Sequence, residues 1–319
     1  MVDAPLVADA LADAPRDAAG DVTTHPPNWW DPAWSSRMQL TIVNGSAAAL
    51  PVGFQIGFAF GLDVAPCAGN RDGVRIVRGT TDVSRVIDEV GSPQWTWFPM
   101  QASIAAGATS TEYWLYCGNA SPSAAPKDPA VVFDFFEDFN GTALPAAWVG
   151  QNSVMVGSGV VTIAVGDSGI HSTATYGPNV AIDYVVTASQ AAADTPYWWG
   201  GFQQTFTLTA PWVIWHAVSG ADQIHPSAWD TASTWNGTSV GLDAVPHLYG
   251  VENYGDSAAF RFADVIVQTR AYATSLAATP LNLRLHNYQS GGTISFDWAR
   301  VRKAANPAPA VTVGSVETY

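Results

Sequence analysis

The densest run of carboxylates in the chain is Asp134-Phe135-Phe136-Glu137-Asp138, and paired carboxylates are what acid–base and nucleophilic chemistry at an acetal carbon requires. In a strand, side chains two residues apart share a face. Asp134 and Asp138 would therefore point one way with Phe136 between them, and Glu137 would point the other. That pattern suits a strand entering a fold and not a catalytic pair. Other chemistries leave less trace: the chain has no HExxH, no GxSxG, no phosphate-binding glycine loop and no Cys/His cluster. His25, His171, His216, His225, His247 and His286 are scattered singly. The reading is of a protein that is not an enzyme, although an active site can be assembled from distant residues.

Aromatic residues offer a different chemistry. Tyr197-Trp198-Trp199, then Trp212, Trp215, His216, Trp229 and Trp235, crowd the middle of the second half. Exposed rings stack on the apolar faces of sugars while neighbouring polar groups bind hydroxyls. Trp198, Trp199, Trp212, Trp215, His216 and Trp229 are thus the candidate carbohydrate-binding residues. Strand alternation sends Trp198 and Trp199 to opposite faces, and Trp212 and Trp215 also differ in parity. Most of these rings are therefore expected in a core, with one or two on the surface. A separate patch, Trp29, Trp30 and Trp34, is expected at an interface, sealing the first module or the seam between modules.

The elements that would position these groups are short strands. MQLTIVN (38–44), GFQIGFAF (53–60), GVRIVRG (73–79), WTWFPMQ (95–101) and TEYWLYCGN (111–119) are β-branched or aromatic and bounded by turn residues. The proline-rich segment 121–130 reads as a linker. A second series follows, in which Leu281, Leu283 and Leu285 alternate with Asn282, Arg284 and His286. No stretch keeps a helical period. The expectation is an all-β chain of two tandem antiparallel β-sandwich or jelly-roll modules. Residues 1–27 would form an extended arm, 28–120 a small sandwich, 131–305 a jelly roll and 306–319 a tail.

Composition narrows the partners. The chain carries 27 acidic against 13 basic residues, a net charge of −14, so a phosphate backbone is repelled and nucleic acid is not expected. Polar residues interrupt every apolar run, so no insertion into a membrane is expected either. Cys67 and Cys117 both fall in the first module, as a disulfide or as two buried thiols.

The segments NWWDPAWSSRMQLTIVN, GVRIVRG, WTWFPMQASIAAGATSTEYWLYCGN and VVFDFFEDFNG resemble an uncharacterised domain family of prokaryotic surface and phage proteins. In that family the domain precedes a concanavalin-A-like (laminin-G-like) jelly roll, which the second half is similar to through FEDFNG and ISFDWARVRK. The chain departs from the family at Cys117, where an aromatic is usual. The resemblance implies one structural calcium where the first and last strands of the jelly roll meet, held by Glu137 or Asp138 and by Asp297, oxygen ligands that suit calcium. The alternative is that these acids cap turns or pair with Arg300 or Arg302.

Residues 1–27 lack a basic, then apolar, leader, so no signal peptide is seen. Taken together, the expectation is a non-catalytic structural or adhesion protein at an extracellular or virion surface, such as a phage tail, spike or head-decoration component. Its partners would be other subunits of that assembly and cell-surface glycans. A secreted bacterial carbohydrate-binding protein is the alternative, with a polysaccharide hydrolase behind it.

Overall fold

A computed structural model describes residues 28–319 except 61–66, 68–70, 89, 91–93, 165, 189–197, 205–208, 218–222, 242–244 and 289–291. The expected arm, residues 1–27, lies outside the described residues. Among the described residues the regular structure is almost entirely antiparallel strand, as the alternating sequence predicts, with one short α-helix at Pro129–Val132 capped by Asp128.

Near the N-terminus, a five-stranded and a three-stranded sheet face each other. The larger holds Ser36–Val43 between Ala310–Thr318 and Thr109–Cys117, followed by Arg75–Arg78 and Thr81–Val83. The smaller pairs Gln55–Ala59 and Val86–Ile87 with Trp95–Pro99. Met38, Leu40, Ile42, Ile76 and Leu115 point inward from one sheet and meet Ile56, Phe58 and Phe98 from the other. Cys67 is disulfide-bonded to Cys117 within this core, Cα–Cα 5.0 Å, so the departure from the family at Cys117 is half of a bridge.

Residues 306–319, read as a tail, contain instead the strand Ala310–Thr318 along the edge of Ser36–Val43, from Ser36 opposite Thr318 to Val43 opposite Ala310. The chain leaves the first sandwich, builds the second and returns to complete the first. The Trp29, Trp30 and Trp34 patch packs on the outer face of this five-stranded sheet, against Val77, Trp114 and Tyr116. Arg37 lies over the Trp29 and Trp114 rings and Arg75 over Trp34. The patch seals a sheet and does not form the seam between modules.

The second unit is a sandwich of two eight-stranded sheets. One contains Val154–Gly157, Val160–Ile163, Ile294–Lys303, Val180–Ala188, His247–Asn253, Ser257–Phe262 and Val265–Ala271, with Phe135–Glu137 beside Ile294–Lys303. The other contains Trp148–Gln151, Ser168–Tyr176, Leu281–Asn287, Trp198–Gln203, Trp212–Ala217, Gln223–Trp229 and Thr234–Asn236, with Val240–Gly241 beside Gln223–Trp229. Between them lie Trp198, Trp215, Tyr184, Tyr249, Phe260, Phe296 and the three leucines of Leu281–Asn287.

The outer face of the first of these sheets meets the N-terminal sandwich through buried ions. Asp88 takes two hydrogen bonds from Arg300, 2.6 and 3.0 Å, and one from the Trp97 indole at 2.9 Å. Arg300 and Arg302 both donate to Asp183, and Arg302 and Arg261 both donate to Glu252. Burial alone would raise the Asp183 carboxyl, but Arg302 and Arg300 override it and hold it well below the usual range. Asp264, in the tight turn between Ser257–Phe262 and Val265–Ala271, is buried beside this group, and burial pushes its pKa up to about 7. Four carboxylates (Asp88, Asp183, Glu252, Asp264) stand against three guanidiniums (Arg261, Arg300, Arg302). A proton kept on Asp264 balances the cluster.

Two outcomes follow. Reduction of the disulfide, or Cys67→Ser with Cys117→Ser, removes a cross-link spanning 50 residues. Chain-entropy reasoning puts the loss at roughly 4 kcal/mol, measurable by urea unfolding. Native Asp264 keeps its proton to about pH 7, whereas an unfolded aspartate gives it up near pH ~3.9. The stability it confers is complete below the lower value and is lost as pH rises toward the upper one. Asp264→Asn, which tolerates the left-handed backbone at φ 65°, should remove a slope of about 1.4 kcal/mol per pH unit over that window and leave the variant the more stable at pH 8.

Candidate functional site

The outer face of the other eight-stranded sheet is built from residues that cross-strand register sets side by side. One row runs Gly169, His286, Trp199, His216, His225, and the next runs His171, Arg284, Gly201, Ile214, Ser227, Asn236. A third runs Asn282, Gln203, Trp212, Trp229, Thr234. None of the eight strands of this sheet contains Asp or Glu.

Half of this face is a buried polar relay. Arg284 donates to Gln203 Oε1 at 2.8 Å and contacts His286 Nδ1 at 2.8 Å. A guanidinium can only donate, so Nδ1 accepts and the imidazole proton sits on Nε2. That nitrogen lies 2.9 Å from Asp167 Oδ1. Trp199 stacks on His286 with ring centroids 4.3 Å apart, and Arg284 covers the other part of the indole. Burial, then the Arg284 charge, pushes His286 down to about 2, and burial lowers Arg284 to about 9. With Nδ1 taken by Arg284 and burial holding the ring neutral, His286 does not titrate near neutral pH. The backbone is tight here as well: a Cβ on Gly169 would sit 2.6 Å from His286 Nδ1, and one on Gly201 2.4 Å from the Val213 carbonyl.

The other half of the face is accessible. Trp212 and Trp229 are half-buried cross-strand partners, T-shaped with centroids 4.7 Å apart, and the Trp212 indole reaches Ser227 Oγ at 3.4 Å. His216 and His225 are also half-buried, 5.9 Å apart, and Asn236, Thr234 and Gln223 stand exposed around them. Burial, then the neighbouring His225, lowers His216 to about 4. The result is an aromatic strip edged by amide, hydroxyl and imidazole groups.

Of the six candidate carbohydrate residues, Trp199, Trp212, His216 and Trp229 share this face. Trp198 and Trp215 lie in the core, as strand parity anticipates, Trp215 donating to the Gly250 carbonyl at 2.9 Å. Arg284, Gln203, His225 and Asn236 belong to the face and were not predicted. Their signal was available in the alternation of LNLRLHN and in the positions flanking Pro226. Glu137 accepts from the Phe139 amide and Asp138 from the Asn140 amide and side chain, while Asp297 is an exposed strand residue. Among the described residues no three His, Cys, Asp or Glu converge on a metal position. Arg300 and Arg302 are taken by Asp88, Asp183 and Glu252.

Residues 96–153 match the domain of unknown function DUF2341, a span crossing from the first sandwich into the second. No curated protein matches the chain. Similar solved structures include an endo-acting O-glycanase from the human gut microbiota, at 12% identity and TM-score 0.47, covering 54% of this chain and 99% of its own. They also include the endo-β-1,3-glucanase of Pyrococcus furiosus, at 10% identity and TM-score 0.46, covering 54% and 94%. An immunostimulatory antigen and pseudo β-1,3-glucanase of Mycobacterium tuberculosis is similar at 11% identity and TM-score 0.44, covering 54% and 99%.

The two kinds of tryptophan should separate in stability. Trp215→Ala, in the core, should cost about 3–5 kcal/mol in urea unfolding. Trp229→Ala, whose ring is half-exposed and paired only at its edge, should cost about 1 kcal/mol.

Proposed function

We propose that the protein is a non-catalytic surface-recognition protein that binds glycans on the Trp212–Trp229 strip. It would be carried on the outside of a cell or a virion and associate there with other subunits. The observation that carries the reading is the make-up of one sheet face. Accessible indoles lie beside hydroxyl, amide and imidazole groups, on eight strands without a single carboxylate. Rings of this kind stack on pyranose faces, and the polar neighbours bind hydroxyls. Cleavage of a glycosidic bond normally uses two carboxylates flanking the bond, and the strands of this face offer none. The Cys67–Cys117 disulfide supports an oxidising, extracellular setting.

The test is a glycan array with the full chain, followed by titration of any hit. Trp212→Ala and Trp229→Ala should each weaken binding about tenfold or more while the protein stays folded, a loss of about 1.4 kcal/mol per tenfold. Release of reducing sugar from a bound polysaccharide, or affinity indifferent to both substitutions, would overturn the proposal.

A further inference from the structure

Beside the tryptophan strip, two imidazoles stand directly across from each other on neighbouring antiparallel strands. His216 of Trp212–Ala217 and His225 of Gln223–Trp229 are register partners, so their side chains leave the same face, and their ring centroids are 5.9 Å apart. Two imidazoles bound to one tetrahedral ion at ~2.0–2.1 Å place their centroids roughly 5–6 Å apart. The observed spacing falls within that range.

The tautomers point the same way. His225 Nδ1 lies 3.2 Å from the Gly237 carbonyl. A carbonyl only accepts, so Nδ1 carries a proton, and it is Nε2 that would offer the lone pair to an ion. An imidazole fixed through its far nitrogen by a backbone carbonyl is the usual outer support of a metal-binding histidine. His216 Nε2 is buried with no hydrogen-bond partner among the described residues. A buried ring nitrogen without a partner is costly to leave so, and an ion between the two rings would satisfy it.

We propose that His216 and His225 form a two-histidine site for a borderline divalent cation, Zn²⁺, Cu²⁺ or Ni²⁺. No third His, Cys, Asp or Glu joins them among the described residues. The ion would therefore keep open positions for water or a ligand hydroxyl, as sites with few protein ligands do. Neutral imidazole favours such metals over Ca²⁺ and Mg²⁺, which seek oxygen ligands. The site stands independently of glycan recognition, because it is read by metal binding alone.

Calorimetric titration of the full, chelator-treated chain with ZnCl₂ at neutral pH should show one dominant site, with no comparable response to MgCl₂ or CaCl₂. His216→Gln and His225→Gln should each weaken it about tenfold or more, while His171→Gln and His247→Gln, at half-buried histidines elsewhere, should leave it unchanged. Circular dichroism of each variant checks the fold. With Cu²⁺, electron paramagnetic resonance should show two coordinated ring nitrogens in the parent chain and one in each single variant. Zinc affinity unmoved by either substitution, or tracking His171 or His247 instead, means an adventitious ion only and overturns the site. So does a copper spectrum lacking two ring nitrogens in the parent chain.

Discussion

The fold turns on Asp183, a fully buried carboxylate gripped by two arginines of one strand. Arg300 and Arg302 stand two residues apart on Ile294–Lys303, and both reach Asp183 on the adjacent strand Val180–Ala188. A lone buried charge would be severely destabilising, and even a paired one gains only if its other hydrogen-bonding positions are filled. Here they are filled by further ions. Arg300 goes on to Asp88 of the N-terminal sandwich, and Arg302 goes on to Glu252, which also takes Arg261 and the Tyr254 hydroxyl. The Trp97 ring lies against both guanidiniums, and its indole nitrogen donates to Asp88. Arg300 is the ion shared between the units, so separating them would leave Asp88 without its guanidinium and Arg300 without its second carboxylate. The returning strand Ala310–Thr318 adds a backbone tie at the far side of the first sandwich.

That constraint decides which surface is free to act. A two-sheet sandwich has two outer faces. One, bearing Asp183, Glu252, Arg261, Arg300 and Arg302, is spent on the seam. Its mirror, bearing Trp212, Trp229, His216 and His225, has no carboxylate in its strands and is not part of the contact with the N-terminal sandwich. The chain carries a net charge of −14, yet its acids are kept off these strands. The segregation is chemical as well as spatial: ions where two protein surfaces must lock, rings and amides where water is still present.

Much of this was legible in the sequence. The alternation in LNLRLHN predicts the strand to its last residue, with its leucines in the core. Parity separates Trp198 from Trp199 before any coordinates exist. What alternation could not say is that Arg284 and His286, on the polar side of that strand, are also fully buried. Period-2 patterning identifies a face, not what covers it. Gln223–Trp229 was missed because Pro226 sits in its middle, where a proline ordinarily argues against a strand. Ala310–Thr318 was missed because Gly314 breaks a run that already looked like a tail. The seam was invisible for another reason: Asp88 and Arg300 are 212 residues apart, and nothing local marks either as half of a pair. FEDFNG, by contrast, drew attention for its acids, and local geometry uses two of them to close a turn.

The same face also shows why a histidine–carboxylate contact need not be catalytic. Asp167 and His286 have the separation of an acid–base couple. A general base, however, must present a free lone pair to its substrate and titrate near the working pH. His286 fails both tests, because Arg284 occupies Nδ1 and burial holds the ring neutral far below neutral pH. Stacked under Trp199, the imidazole works as a rigid spacer that fixes the indole plane and the Arg284 fork. A stiff floor of this kind is what an aromatic binding strip needs, since rings already held in place lose little freedom when a ligand settles on them. Under the proposed glycan recognition, the relay and the strip would be one device, with buried hydrogen bonds supplying stiffness at one end of the sheet and exposed rings using it at the other.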